Sequence, residues 1–200
     1  AKEGAYEYLR LDPSVPVILV LGGSQGSEII NNAVLDILPS LLERYQVIHQ
    51  TGEKNFEDVS GRAKAILKGH ANSERYKPFA FLNPLALKMC GGAANLAISR
   101  AGSTIFELAS WGLPSVIIPI TNSNADHQRK NAFNYARTGS CQVIEEANLT
   151  SHVLLAQIDN LFADKARMEK MKKAATTFAK PDAAEKIARE LITVALEHYK

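Results

Sequence analysis

Two hundred residues with 46% hydrophobic content suit one α/β domain, long enough to bury a substantial core. Lysine and arginine outnumber aspartate and glutamate only by 23 to 21, so no global field recruits nucleic acid, and no arginine is interleaved with aromatics in a way that would suit bases. The longest apolar runs are strand length, Ala1-Lys2-Glu3-Gly4 opens no signal peptide, and Cys90 and Cys141 lack metal-ligand spacing, so the chain reads as soluble and cytoplasmic with two reduced, buried thiols.

Residues 1–14 read as a linker whose last turn is Asp12-Pro13-Ser14. The first predicted strand, near Val17 to Leu21, empties into Gly22-Gly23-Ser24-Gln25-Gly26 and then a long helix. Glycines let the backbone turn sharply and approach a ligand closely, and the free N–H groups opening a helix favour a phosphate. Glycine-rich strand-to-helix turns also serve as plain connectors, so this one alone does not decide between the two roles. Further strand-like runs lie near Gln46 to His49, Tyr76 to Phe79, Leu96 to Ser99, Ser115 to Pro119 and Gln142 to Ile144, with helix-length segments between most of them.

That alternation predicts an α/β fold, a parallel sheet with helices on both faces, whose ligands sit in the crevice outside the carboxyl ends of the strands. After residue 150 only helices are expected. Val153, Leu154, Ile158, Leu161 and Phe162 recur at helical spacing, and Asp182 can cap a last helix carrying Ile187, Leu191, Ile192 and Leu196. Between them Lys165, Arg167, Lys170, Lys172, Lys173 and Lys180 form a basic stretch that reads as a solvated face, with contact to an anionic membrane surface as the functional alternative.

A second turn follows the strand ending at Ser99. Gly102 permits the turn, and Ser103 and Thr104 can offer hydroxyls and N–H groups to phosphate oxygens at a helix start. Glu107 lies about one helical turn on, either as a carboxylate capping that start or as the bidentate acceptor of two adjacent ribose hydroxyls. A third constellation, Thr121 to Asn131, is a polar loop followed by a helix with His127, Gln128 and Asn131. The amides of Gln128 and Asn131 share a face and suit sugar hydroxyls, although a solvated helix start accounts for them equally well.

Together these residues resemble the nucleotide-sugar-binding half of the MurG family, bacterial transferases that add N-acetylglucosamine to the undecaprenyl-linked muramyl-pentapeptide. The resemblance covers nearly the whole chain. It rests on Gly22-Gly23-Ser24-Gln25-Gly26, His49-Gln50-Thr51-Gly52, Ser99-Arg100-Ala101-Gly102, Glu107 with Gly112-Leu113-Pro114, Asp126-His127-Gln128 with Asn131-Ala132, and Pro181-Asp182-Ala183-Ala184, all in the family's order.

The resemblance implies a Rossmann-like half of a two-domain GT-B glycosyltransferase, with residues 15–200 as the nucleotide-sugar-binding domain. Gly23, Ser24 and Gln25 would lie by the diphosphate, and Gly102, Ser103 and Thr104 would hold phosphate. Glu107 would bind the ribose, the backbone of Leu82 the uracil edge, and His127, Gln128 and Asn131 the N-acetylglucosamine hydroxyls. The same resemblance implies that the family's amino-terminal acceptor domain, with its general base and membrane-facing patch, is missing here. No catalytic residue is therefore expected in this chain, and the lipid-linked acceptor is reached through that domain, with the full-length protein peripheral on the cytoplasmic face of the inner membrane.

The implied chemistry is inverting transfer from UDP-N-acetylglucosamine, with no cofactor. The absence of any Asp-x-Asp pair argues against a metal-bridged diphosphate. Other readings are a nucleotide-sugar-binding subunit working with a separate acceptor-binding subunit, a UDP-N-acetylglucosamine 2-epimerase-like enzyme, or a binding-only module.

Overall fold

The computed structural model describes residues 2–23, 25–121 and 126–197. Its strands are β1 (Val17–Leu21), β2 (Gln46–Gln50), β3 (Tyr76–Phe79), β4 (Leu96–Ser99), β5 (Ser115–Ile117) and β6 (Cys141–Val143). Among the described residues they form one six-stranded sheet in the order β3-β2-β1-β4-β5-β6, every pair parallel. The helices are α1 (Lys2–Leu9), α2 (Glu28–Leu42), α3 (Phe56–Ile66), α4 (Pro84–Ala93), α5 (Thr104–Ser110), α6 (His127–Arg137), α7 (Ser151–Ala163), α8 (Lys165–Phe178) and α9 (Ala183–Glu197). The fold class is the one the alternating sequence predicts.

All five residues of β1 are buried, which is why Val17-Ile18-Leu19-Val20-Leu21 is continuously apolar rather than alternating. Ile18 and Val20 pack into the core that α2, α3 and α7 cover, while Val17, Leu19 and Leu21 pack into the core under α1, α4, α5 and α6. Four helices begin with a side chain that accepts a backbone N–H: Ser27 for α2, Asn83 for α4 with Pro84 behind it, Thr150 for α7 and Asp164 for α8.

Strand limits differ slightly from expectation. β5 stops at Ile117 instead of Pro119; Ile118 still donates to the Ser99 carbonyl at 2.8 Å, but Pro119 has no N–H to continue the ladder. β2 reaches Gln50, and β6 starts at Cys141. Cys90 and Cys141 are free and buried, and burial pushes each thiol up to about 12.

The segment expected to be a linker is largely folded. α1 occupies residues 2–9, with Ala5 and Leu9 buried in the same core as α4 and the Tyr6 hydroxyl donating to the Ala93 carbonyl at 3.3 Å. Its apolar residues are too few for a clear helical period, so tertiary packing rather than local pattern orders it.

At the other end, α9 is a helix as predicted, but every residue from 181 to 196 is exposed, with Ile187, Leu191, Ile192 and Leu196 each at least 60% accessible. Asp182 pairs through its carboxylate with Lys186 Nζ at 2.7 Å. Lys165, Lys170, Lys172 and Lys173 of α8 are exposed while Met171 and Ala175 are buried, so the basic stretch lies on the outer side of a packed helix. Among the described residues no helix is long and apolar enough to cross a membrane.

Candidate functional site: a cleft at the carboxyl edge of the sheet

The strands end level. Leu21 lies opposite both Gln50 and Ser99, Gln50 opposite Phe79, and Ser99 opposite Ile117, so the loops leaving β1 to β5 emerge side by side. The strand order reverses at β1, which has β2 on one side and β4 on the other, and this switch is where a crevice must open. A cleft of about 310 Å³ opens there. Leu21 and Gln50 form its floor with Gly23 beside them; Phe81, Leu82, Pro84 and Leu87 make one wall, and Thr104, Glu107 and Trp111 the other. Glu107 is the one ionisable side chain among the described lining residues.

The glycine turn after β1 is locked to the turn after β2. Gly23, Gly26 and Gly52 all have left-handed φ, +88°, +78° and +88°. A Cβ on Gly26 would collide with the Thr51 carbonyl, and one on Gly52 with the Gln25 carbonyl. Gln50 Nε2 donates to the Gly23 carbonyl at 3.1 Å, and Asn55 Nδ2 donates to the Thr51 carbonyl at 3.1 Å. Gln25 is exposed and contributes its backbone to this contact; Ser24 lies outside the described residues.

Behind the turn sits a polar cluster. His49 is fully buried, with Nε2 3.0 Å from Asn31 Oδ1 and Nδ1 2.9 Å from the Tyr76 hydroxyl. Asn31 Nδ2 donates to the Thr51 carbonyl at 3.1 Å, so its oxygen faces the histidine; His49 therefore carries its proton on Nε2 and accepts from Tyr76. Burial pushes the imidazole down to about 3, so it stays neutral. The motif His49-Gln50-Thr51-Gly52 is thus support for the first glycine turn: the histidine buttresses, the glutamine pins Gly23, and the glycine makes room.

After β4, neither the backbone nor the packing requires a glycine at position 102, so the expected need of Gly102 for the turn is not met. Its φ is not in the left-handed region, and a Cβ there would meet nothing within 4 Å. Ser103 is exposed at the start of α5 without capping it, and Thr104 lines the cleft. The Glu107 side chain does not cap α5 either. Among the described residues its carboxylate has no hydrogen-bond or ion-pair partner, and partial burial raises its pKa above the usual carboxylate range. The Trp111 ring, which finishes this wall, packs on Gly91 of α4, where a Cβ would stand 2.6 Å from Trp111 Cδ2.

His127, Gln128 and Asn131 do not line this cleft. Gln128 and Asn131 share a face of α6 as their spacing predicts, yet each amide is engaged with backbone. Gln128 Oε1 accepts the Ile120 N–H at 3.2 Å, and Asn131 Nδ2 donates to the Ala101 carbonyl at 3.1 Å. His127 is exposed at the first position of α6. Asp126 just before it has φ +58°, left-handed for a residue with a Cβ, and lines a second hollow of about 360 Å³ with Pro119 to Thr121, Arg129 and Glu145 to Ala147.

Of the expected contacts, the structure gathers Gly23, Leu82, Thr104 and Glu107 around one cleft and leaves Gly102 and Ser103 at its edge. Gln50, Pro84, Leu87 and Trp111 are lining residues that the motifs did not single out. Gln50 sat inside a quoted motif, but apolar wall residues carry no sequence signal distinguishing a cleft from a core. Among the described residues no cluster of His, Cys, Asp and Glu is placed to hold a metal ion.

Residues 17–187 match the family model of the glycosyltransferase family 28 C-terminal domain. The chain belongs to this family. Among curated relatives, the UDP-N-acetylglucosamine–N-acetylmuramyl-(pentapeptide) pyrophosphoryl-undecaprenol N-acetylglucosamine transferase of Listeria monocytogenes is 34% identical over 194 residues, covering 96% of this chain and 52% of that protein. The chain thus spans about half the length of the curated relatives it matches. In fold it is similar to MurG of Acinetobacter baumannii, with a TM-score of 0.75 at 24% identity over 94% of this chain and 53% of that one. It is also similar in fold to a UDP-GlcNAc 2-epimerase from Neisseria meningitidis solved with UDP-GlcNAc, with a TM-score of 0.70 at 14% identity over 96% and 49% of the two chains.

Proposed function

We propose that this chain is the donor-binding half of an inverting N-acetylglucosaminyltransferase of peptidoglycan synthesis, and that its cleft holds UDP-N-acetylglucosamine. The observation that carries the reading is the Glu107 carboxylate, lining the cleft with no protein partner among the described residues and facing a turn held open by Gly23 and Gly26. A carboxylate so placed accepts two vicinal ribose hydroxyls, and the charge-assisted bonds are about twice as strong as neutral ones. The wall of Phe81, Leu82, Pro84 and Leu87 suits a flat base, whose polar edge meets the backbone at Leu82. Diphosphate then falls between Gly23 and Thr104, at the positive end of α2, with Ser24, Gln25, Gly102 and Ser103 around it. The sugar extends toward α6, where His127, Gln128 and Asn131 read its hydroxyls through atoms other than Gln128 Oε1 and Asn131 Nδ2, which hold the Ile120 N–H and the Ala101 carbonyl.

In the reaction a muramyl hydroxyl oxygen of the lipid-linked acceptor forms a bond to the anomeric carbon from the face opposite UDP. The bond from that carbon to the phosphate oxygen breaks, and its electron pair leaves with UDP. N–H groups fixed in the glycine turn stabilise the charge that develops on the diphosphate. With no Asp-x-Asp pair in the sequence, the backbone supplies this stabilisation without a bridging cation. The acceptor site, the general base that takes the hydroxyl proton and the membrane contact belong to the part of the protein outside this chain. The name of the 34% identical relative, and the fact that this chain covers 52% of it, support that division, and the whole enzyme on this reading works at the cytoplasmic face of the membrane.

Titration of the 200-residue chain with UDP and UDP-N-acetylglucosamine tests this reading. Both bind, no 2-epimerised sugar forms, and transfer to a lipid-linked acceptor requires the remaining half. Failure of both ligands to bind, or transfer by this chain alone, overturns it.

A further inference from the structure

The loops leaving β4, β5 and β6 are tied together by a single carboxylate. Glu146 sits in a short 3-10 turn, Glu146–Asn148, beyond β6. Its Oε1 accepts from Arg100 Nη2 at 2.6 Å, in the turn after β4. Its Oε2 accepts both the backbone N–H of Thr121 at 2.9 Å and the Thr121 hydroxyl at 2.8 Å, in the segment that leads from β5 to α6. Arg100 Nη1 meanwhile donates to the Ile118 carbonyl at 3.2 Å, so guanidinium and carboxylate together grip both ends of the stretch from Ile118 to Thr121. Arg100 is buried, and among the described residues its Nε finds no partner. Burial alone would raise the Glu146 carboxyl, but the bonds from Thr121 and Arg100 outweigh it and hold the group below the usual carboxylate range.

A plain structural ion pair would join strand to strand. This one ends on the backbone of a loop, and the adjoining N–H of that loop, Ile120, is held from the other side by Gln128 Oε1. Consecutive peptide groups are thus fixed by Glu146 on one side and by α6 on the other. Asn131, one turn further along α6, fastens the same helix to Ala101 beside Arg100. The first turn of α6 therefore takes its position from a closed circuit that runs Arg100, Glu146, Thr121, Ile120, Gln128, Asn131 and back to Ala101. None of the circuit's side chains lines the cleft around Glu107.

We propose that Glu146 is a positioning residue for the donor sugar: it sets the place of Thr121 and, through it, of Gln128 at the start of α6, and so controls discrimination of UDP-N-acetylglucosamine from UDP without touching either. This rests on the donor-binding reading above. The test is calorimetric titration of the 200-residue chain and its Glu146→Ala, Glu146→Gln and Glu145→Ala variants with UDP and with UDP-N-acetylglucosamine. Glu145 is the adjacent carboxylate, paired with Arg129 at 2.9 Å, and serves as the control for charge and location.

UDP affinity stays within about twofold in every variant, while the preference for UDP-N-acetylglucosamine over UDP drops roughly tenfold in Glu146→Ala and is unchanged in Glu145→Ala. Glu146→Gln, which keeps the size and one acceptor oxygen, falls between parent and alanine variant, and it carries the test if the alanine variant does not fold. Equal weakening of both ligands, or an unchanged preference, overturns the proposal and leaves Glu146 a structural tie. A parent chain that binds neither ligand overturns the donor-binding reading, and this proposal with it.

Discussion

The indole of Trp111 occupies the space into which a side chain on Gly91 would project, so one wall of the cleft is set by a glycine in the last turn of α4. Alanine in place of glycine is worth at most roughly 0.5–1 kcal/mol inside a helix and less in a last turn, whereas overpacking a fitted contact costs about 1–3 kcal/mol. The collision therefore wins: Gly91→Ala destabilises the chain and, by pushing Trp111 into the cleft, weakens UDP binding. Urea denaturation and a UDP titration on the same variant check the two effects together.

Trp111 is also the chain's one tryptophan. Nucleotide entering the cleft changes the surroundings of this indole alone, so UDP alters the intrinsic emission, saturably and at the affinity that calorimetry reports. An emission spectrum indifferent to UDP at calorimetric saturation would place the nucleotide away from this wall.

On the donor-binding reading, Glu107→Gln removes a charge-assisted acceptor for the ribose, and UDP is expected to bind about 1.5–3 kcal/mol more weakly with the fold intact. The pH dependence follows from the direction of the shift. The carboxyl is raised by burial, so it protonates above the usual carboxylate range as pH falls, and the ionised form that accepts ribose hydroxyls is lost there. Affinity for UDP-N-acetylglucosamine, whose diester diphosphate does not titrate in this range, is flat near neutrality and declines on acidification; the Gln variant shows no such decline. Stability runs the other way. A carboxyl raised in the folded state binds more protons folded than unfolded, so its contribution falls as pH rises through that window.

Asn31→Ala leaves the buried His49 N–H without its acceptor, at about 1–3 kcal/mol, and takes one of two donors from the Thr51 carbonyl, which keeps Asn55. Chemical denaturation measures the loss. UDP affinity falls as well, since Thr51 and Gly52 are the surface on which the Gln25-Gly26 turn rests.

Much of this was legible in the sequence because the relevant signals are local. Each strand-to-helix punctuation near Gly22, Gly102 and Thr121 falls at a carboxyl end of the sheet, and Glu107 faces the cleft as its helical offset requires. What was not legible depends on distant partners. Nothing local distinguishes Gly102, whose φ is ordinary and where a Cβ would meet nothing, from Gly26, which must adopt a left-handed φ against Thr51. The amides of Gln128 and Asn131 carry the right chemistry for hydroxyls, but the sequence does not reveal that Ile120 and Ala101 already engage them. α1 has too few apolar residues for a helical period, and what orders it is α4, a packing surface some eighty residues away in the chain.

α9 exposes five large aliphatic side chains, Ile187, Leu191, Ile192, Val194 and Leu196, on a fifteen-residue helix, and a helix of that length has little stability of its own. The molecule therefore has two tiers of protection. Amides of the central strands exchange only through global unfolding, whereas those of α9 open independently and exchange orders of magnitude sooner. The same aliphatic stripe is expected to make the 200-residue chain associate as its concentration rises, so its solution behaviour would report on its last helix more than on the cleft.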